Sequence, residues 1–133
     1  MKRMTTIFIT IMYFQLLIAP PNNSGVVFES EGICKYEPLI KAVTMVESSN
    51  GKYTYNPDEG AVGWFQIRQV RVDHYNQMRG TNYKLTDFYD YDLSREMFLW
   101  YASGKSYEVA ARNWNGKWVL TEKYWKRVKQ HLN

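Results

Sequence analysis

Apolar residues recur at helical spacing along most of this chain. Leu39, Val43 and Val46 form a stripe along one face, and the polar and glycine-containing segment Ser49-Asn50-Gly51 follows as a stop signal. The pattern predicts a helix from about Tyr36 or Pro38 to Ser48, because proline is tolerated in the first turn of a helix.

The same criterion predicts four more helices. The second helix covers about 70–78, and the third begins at Asp92 or Ser94 and ends near residue 102. The fourth covers Ser106 to about 113, and the last begins at Thr121. In the last helix Tyr124, Val128 and Leu132 form an i, i+4, i+8 stripe that should face a core.

Polar residues and glycines separate the first two helices. Residues 52–60 predict a loop, and residues 61–67 predict a short strand or an extended turn, with Gly60 and Gly63 allowing close backbone approach. Residues 81–91 predict an irregular stretch. The sequence therefore indicates a small, mainly α domain with one short β-like element.

The N-terminus has the pattern of a targeting segment. Lys2 and Arg3 precede an uncharged, largely apolar run of 15 residues, 5–19, whereas a transmembrane helix needs about 20. Residues 1–19 therefore predict a secretory signal peptide or, alternatively, a short membrane anchor through residues 5–19. Residues 20–32 predict a linker and 33–133 the folded domain. We expect an exported protein, located in the periplasm or cell envelope, secreted, or membrane-anchored.

Composition excludes several classes of protein. Hydrophobic residues make up 45% of the chain and charged residues 23%, which is typical of a folded domain. Without Lys2 and Arg3, 15 basic residues face 13 acidic ones, and no basic patch with interleaved aromatics predicts nucleic-acid binding. The single cysteine allows no internal disulfide, and His74 and His131 are isolated, so neither a metal nor another cofactor is expected.

Glu47 is the strongest candidate for chemistry. It follows Val43 by four residues, so it lies beside the apolar stripe of its helix and close to the negative end of the helix dipole. Desolvation and the dipole both disfavour the anion and raise the pKa of the carboxyl group, as a general acid near neutral pH requires. The alternative is an ordinary polar residue that ends a helix.

Three blocks of sequence resemble the soluble lytic transglycosylases and the related goose-type lysozymes. The first is Glu47-Ser48 followed by Gly60-Ala61-Val62-Gly63-Trp64-Phe65-Gln66-Ile67. The second is Val109-Ala110-Ala111-Arg112-Asn113-Trp114-Asn115-Gly116, and the third is Thr121-Glu122-Lys123-Tyr124-Trp125-Lys126-Arg127-Val128. The blocks come in the order found in the family and span about residues 36–130.

The resemblance implies a lysozyme-like α+β fold, with the short β-like element beside the catalytic helix. It also implies cleavage of the β-1,4 bond between N-acetylmuramic acid (MurNAc) and N-acetylglucosamine (GlcNAc) of peptidoglycan, with a 1,6-anhydro product. Glu47 would act as general acid and then as general base. The substrate's own N-acetyl group would stabilise the oxocarbenium-like centre, so no second protein carboxylate and no cofactor would be needed.

The resemblance further implies a set of substrate-binding positions. These are Ser48, Ser49, Tyr55, Phe65, Gln66, Trp114, Asn115 and Tyr124. Ser48 and Ser49 would hold the turn beside Glu47, and Gln66 would bind substrate or steady the floor of the cleft. Trp114-Asn115 aligns with a Tyr-Asn pair of the family, although a shift of two residues would place Arg112-Asn113 there. Tyr124 would then supply a phenol from the last helix.

Other functions stay open on the sequence alone. A hydrolytic muramidase would use a second carboxylate roughly 6.5–9.5 Å from the acid, for which Asp58, Glu59 and Asp73 are candidates. A non-catalytic glycan-binding module and a helical envelope protein without a glycan role are further alternatives. The partner would be peptidoglycan strands, together with cell-envelope or phage assembly proteins.

Overall fold

The computed structural model describes residues 30–116 and 120–132 and is mainly α-helical. The helices are α1 (Ser30–Ser48), α2 (Gln69–Arg79), α3 (Tyr91–Ala102), α4 (Tyr107–Asn115) and α5 (Leu120–Lys129). A 3₁₀ helix spans Leu85–Tyr89, and β1 (Tyr55–Asn56) pairs with β2 (Ala61–Val62). The mainly α architecture expected from the sequence is confirmed. The predicted signal or anchor at 1–19 lies outside the described residues.

The first helix is longer than its apolar stripe predicted. It begins at Ser30, so the last three residues of the predicted linker are helical and Pro38 lies inside the helix. An interior proline lacks the N–H that would bond the carbonyl four residues earlier, at a cost of about 3 kcal/mol. Pro38 itself is exposed. The prediction that the helix starts near Pro38 was therefore wrong.

The β-like element is an antiparallel hairpin beside the end of α1. Tyr55 pairs with Val62, Asn56 pairs with Ala61, and Val62 forms a further bridge with Ile67. Only two residues of the predicted strand at 61–67 are therefore regular strand, and their partner strand lies in the segment predicted to be a loop.

Gly63 packs too closely against a neighbouring backbone to carry a side chain. Its φ is 77°, and an added Cβ would lie 2.1 Å from the carbonyl oxygen of Phe88. Ser94 Oγ donates to the same carbonyl at 2.7 Å. The close approach predicted for this glycine is confirmed. At Gly60 an added Cβ would meet no heavy atom within 4 Å, so only its φ of 59° favours glycine there.

Side-chain caps define the ends of the later helices. α3 is capped by Asp90, whose Oδ1 accepts from the Leu93 N–H at 2.8 Å. Asp92 and Ser94, the two predicted starts of this helix, lie inside it, since the Asp90 side chain already caps it. Ser106 caps α4 as expected, by accepting from the Val109 N–H.

The core lies between α1, α3, α4 and α5 and is rich in aromatic rings. Phe65 stacks on Phe98 with ring centroids 5.2 Å apart, and Trp114 meets the Phe98 ring edge-on at 5.1 Å. From α5, Tyr124 and Val128 are buried against the same cluster. This packing joins the last helix to α1 and so brings Tyr124 beside Glu47.

Candidate active site

A polar cavity opens at the C-terminal end of α1. Its volume is about 230 Å³. The lining side chains are those of Glu47, Glu59, Gln66, Arg68, Arg71, Trp114, Asn115 and Leu120. They come from α1, the hairpin region, α2, α4 and α5, so only the folded chain assembles this cavity.

Glu47 is a partly buried carboxyl group with a strongly perturbed acidity. Its pKa is raised from 4.5 to about 7. Burial is the largest cause, because low-dielectric surroundings penalise the anion. The hydrogen bond from Tyr124 and the Arg127 guanidinium act in the opposite direction. The raised pKa expected from the position of Glu47 beside the apolar stripe is confirmed, and at neutral pH the group is divided between acid and carboxylate.

Tyr124 fixes one oxygen of that carboxyl group. Its hydroxyl donates to Glu47 Oε1 at 2.7 Å across 77 residues of sequence. Burial and the nearby carboxylate raise the pKa of Tyr124 well above 10, so the phenol keeps its proton and remains the donor. Because Oε1 accepts this bond, the proton of the neutral Glu47 resides on Oε2. The phenol that we expected from the last helix does contact Glu47.

The turn after Glu47 is held by Ser48. Its buried hydroxyl donates to the Trp64 carbonyl at 2.8 Å and accepts from the Gly51 N–H at 2.9 Å. An added Cβ at Gly51, whose φ is 79°, would lie 2.4 Å from the Trp64 indole. Ser49 adopts a φ of 53° and ends the helix through its backbone N–H, which bonds Met45 O at 3.1 Å. Ser48 therefore holds the turn; it is buried and does not line the cavity, and its part in substrate binding stays a prediction.

Gln66 stabilises the loop on one side of the cavity. It has a φ of 50°, a left-handed conformation that is uncommon for a residue with a Cβ. Its Nε2 donates to Tyr53 O at 3.1 Å and to Gly63 O at 3.0 Å. Both amide protons are thus used within the protein, which favours the second role suggested for it, that of steadying the cleft.

Two other predicted substrate-binding residues do not line the cavity. Phe65 has no exposed surface and stacks in the core, so it cannot contact a ligand. Side chains that neighbour each other in the motif point to opposite sides of the loop, which places Phe65 inward and Gln66 at the cavity. Tyr55 is 59% exposed on β1 but lies outside the cavity lining.

The tryptophan and asparagine at the end of α4 do reach the cavity. Trp114 and Asn115 line it beside Glu47, whereas Arg112 and Asn113 line a separate cavity between α4 and α5. The Trp114 indole N–H donates to Phe65 O at 3.1 Å. Of the two pairs considered, only Trp114-Asn115 lies at the cavity of Glu47, and the indole nitrogen is already bonded to the protein backbone.

Sequence reasoning missed the two arginines of the cavity. Arg68 and Arg71 lie at the start of α2, and no periodicity or motif marks them as site residues. Arg71 packs over the Trp114 ring at 4.1 Å and donates to Trp114 O at 2.6 Å. Burial lowers the pKa of Arg71 from its ordinary value. A pair of basic residues three positions apart at a helix start was the only available signal.

Of the three candidate second carboxylates, one shares the cavity with Glu47. Glu59 lines it and pairs with Arg68 at 3.8 Å, with both side chains substantially exposed. Asp73 accepts a hydrogen bond from Gln69 on the exposed face of α2, and Asp58 is exposed in the hairpin loop. Neither Asp58 nor Asp73 lines the cavity.

Across residues 30–116 and 120–132, no group of three or more His, Cys, Asp and Glu side chains is arranged to hold a metal ion. In the same ranges no helix combines the length and apolar character needed to cross a membrane. No protein-family description, curated protein or solved structure matches this chain. The functional assignment consequently rests on the residues and geometry of the chain itself.

Proposed function

We propose that this chain is a peptidoglycan lytic transglycosylase with a lysozyme-like fold, in which Glu47 is the only acid/base group. The observation that carries the proposal is the partly buried Glu47 carboxyl, with a pKa of about 7 and one oxygen bound by Tyr124. A carboxyl group with this acidity can both donate and accept a proton near neutral pH. It faces a cavity lined by amide and guanidinium groups that suit a polar polymer.

In the first step, neutral Glu47 donates the proton on Oε2 to the glycosidic oxygen between MurNAc and GlcNAc. The C1–O bond of MurNAc breaks, and the GlcNAc end leaves as an alcohol. The N-acetyl oxygen of MurNAc stabilises the positive charge that develops at C1. The hydrogen bond from Tyr124 becomes stronger as Glu47 becomes an anion, which favours proton release.

In the second step, the Glu47 carboxylate takes the proton from the 6-hydroxyl of MurNAc. The 6-oxygen bonds to C1, and the N-acetyl oxygen is released. The product is a 1,6-anhydro sugar, Glu47 is neutral again, and no water is consumed. A single carboxyl group near its midpoint of titration can serve both steps of this reaction, as the acid in the first and as the base in the second.

A hydrolytic muramidase is the second candidate, because Glu59 lines the same cavity as Glu47. In that reaction Glu59 would activate a water molecule that attacks C1. We prefer transglycosylation because Glu59 is exposed and lies on a loop, where an unactivated carboxylate is the common case.

Digestion of purified sacculi followed by mass spectrometry tests the proposal. The parent protein should release anhydro-muropeptides, one water lighter than hydrolytic products, and Glu47→Gln should release none. Glu122→Gln is a matched control, since Glu122 is exposed on α5 and pairs with Lys126. Reducing-end products that disappear in Glu59→Gln would establish the muramidase instead. Digestion by Glu47→Gln at the parental rate would refute both reactions.

The same proposal requires the domain to reach the cell wall. We infer export to the periplasm or cell envelope by the predicted signal or anchor at 1–19, in a bacterial or a phage context. Cell fractionation of the full chain and of a chain lacking residues 1–19 tests this, because only the full chain should leave the cytoplasm.

A further inference from the structure

A second, larger cavity adjoins the candidate active site. It has a volume of about 420 Å³ and is lined by Arg68, Val70, Arg71, His74 and Tyr101. Arg68 and Arg71 line both cavities, so the two cavities adjoin at these side chains. We call the second cavity the Arg71 groove. Its size falls within the range of pockets that hold small ligands or short polymer segments.

Arg71 is held rigidly at the junction. Its guanidinium lies 4.1 Å from the ring centroid of Trp114 and 4.8 Å from that of Tyr101. One nitrogen donates to Trp114 O at 2.6 Å, and the Tyr101 hydroxyl is a further partner of the guanidinium. No described carboxylate forms an ion pair with it. The side chain is thus a half-buried, pre-oriented cation whose remaining N–H groups can bind an anion with little loss of conformational freedom.

The other charged groups nearby leave the junction positive. Arg68 is 45% exposed and is only weakly paired with Glu59 at 3.8 Å. Asp73 belongs to α2 but bonds Gln69 outside both cavities. Two guanidinium groups therefore face the exposed Glu59 carboxylate and the Glu47 carboxyl group, which is only partly ionised at neutral pH.

The groove walls also suit a branched ligand. Val70 is 71% exposed, and the Tyr101 ring provides a second apolar surface. The Tyr101 hydroxyl is hydrogen-bonded to His74 Nδ1 at 2.6 Å, which orients both rings. An aliphatic segment that ends in a carboxylate would match this combination of apolar wall and cationic junction.

We propose that the Arg71 groove binds a carboxylate carried by a side branch of the glycan, next to the sugar that occupies the Glu47 cavity. This inference rests on the proposed function and assigns a charge preference to the substrate. Peptidoglycan carries such carboxylates on the lactyl group of an unsubstituted MurNAc or on its stem peptide. Arg71 would bind the carboxylate through charge-assisted hydrogen bonds, and Arg68 would add a weaker electrostatic contribution.

Calorimetric binding of three tetrasaccharides tests the proposal in the Glu47→Gln background, which prevents turnover. The first is neutral chitotetraose, the second is peptide-free (GlcNAc-MurNAc)₂, and the third is the same glycan with stem peptides. We expect one or both charged ligands to bind about tenfold more tightly than chitotetraose, as for one charge-assisted contact. The comparison of the second and third ligands distinguishes the lactyl carboxylate from those of the peptide.

Further substitutions in the Glu47→Gln background test whether the Arg71 groove causes the preference for charged ligands. Arg71→Gln should remove most of the preference for charged ligands, because it should weaken their binding by a larger factor than the binding of chitotetraose. Arg68→Gln alters an exposed side chain and should reduce the preference about threefold, which provides a test if Arg71→Gln fails to fold. Arg79→Gln is the matched control, since Arg79 ends the same helix and pairs with Glu96 away from the groove; it should leave the preference unchanged.

The outcomes separate this inference from the proposed function. Equal affinity for all three ligands would refute the proposed role of the Arg71 groove but not the proposed function. A preference for charged ligands that is unchanged by both Arg71→Gln and Arg68→Gln would have the same meaning. Absence of binding to every ligand, combined with no digestion of sacculi by the parent protein, would reject the proposed function and the inference together.

Discussion

Replacement of Glu47 by glutamine is predicted to stabilise the fold at neutral and alkaline pH. The folded state raises the pKa of Glu47 from 4.5 to about 7, so folding favours the neutral acid. Below about pH 4.5 the group is protonated in both states, so it does not lower the free energy of unfolding. As the pH rises from 4.5 to 7, the unfolded chain releases a proton that the folded chain retains, and stability is lost. Above pH 7 the free energy of unfolding is lowered by the full amount.

The magnitude follows from the same two values. The difference between 4.5 and about 7 corresponds to roughly 3 kcal/mol, since one pKa unit is worth about 1.4 kcal/mol. Glutamine keeps an oxygen for the Tyr124 hydrogen bond but carries no charge, so it avoids this cost. The free energy of unfolding of Glu47→Gln should therefore match that of the parent near pH 4 and exceed it by up to about 3 kcal/mol near pH 8.

Urea unfolding followed by tryptophan fluorescence at several pH values measures this difference. With a slope of about 1–3 kcal/mol per molar urea, a difference of about 3 kcal/mol near pH 8 corresponds to an upward midpoint shift of about 1–3 M. Glu122→Gln is the matched control, because Glu122 is exposed on α5 and pairs with Lys126, and its effect should be small. A Glu47→Gln effect that is independent of pH, or largest near pH 4, would refute the desolvation argument.

Two further substitutions test individual contacts. Tyr124→Phe removes the donor to Glu47 Oε1; because that bond favours the carboxylate over the acid by about 1–1.5 kcal/mol, the pKa of Glu47 should rise by about one unit. Carboxyl ¹³C NMR measures this, and an unchanged titration would contradict the contact. Gly63→Ala would place a Cβ 2.1 Å from the Phe88 carbonyl oxygen and should cost about 3 kcal/mol or more in thermal unfolding. Gly60→Ala, with no heavy atom within 4 Å, should cost only about 1 kcal/mol; equal costs would exclude the steric explanation.

Local patterns predicted most of the helices. The apolar stripe of the first helix and the stop signal at 49–51 correctly placed its end at Ser48, and with it the environment of Glu47. Gly63 was also identified as a point of close approach. These features depend on neighbours within one or two turns, so periodicity and residue type suffice to define them. The start of α1 was missed because Pro38 was assigned to the first turn, whereas it lies inside the helix.

Tertiary structure decided the partners of Glu47 and the direction in which the motif residues point. Within the motif, Phe65 packs into the core while Gln66 faces the cavity, and residue type alone does not distinguish the two. Tyr124 contacts Glu47 across 77 residues, and Arg71 reaches the cavity only because α2 packs against Trp114. The sequence by itself determined a carboxyl group at the end of an apolar helix, since burial along a helix face follows from local spacing. Only the packing of α1, α2, α4 and α5 determined which hydrogen bond and which cations surround that group, because those contacts join segments with no local relation.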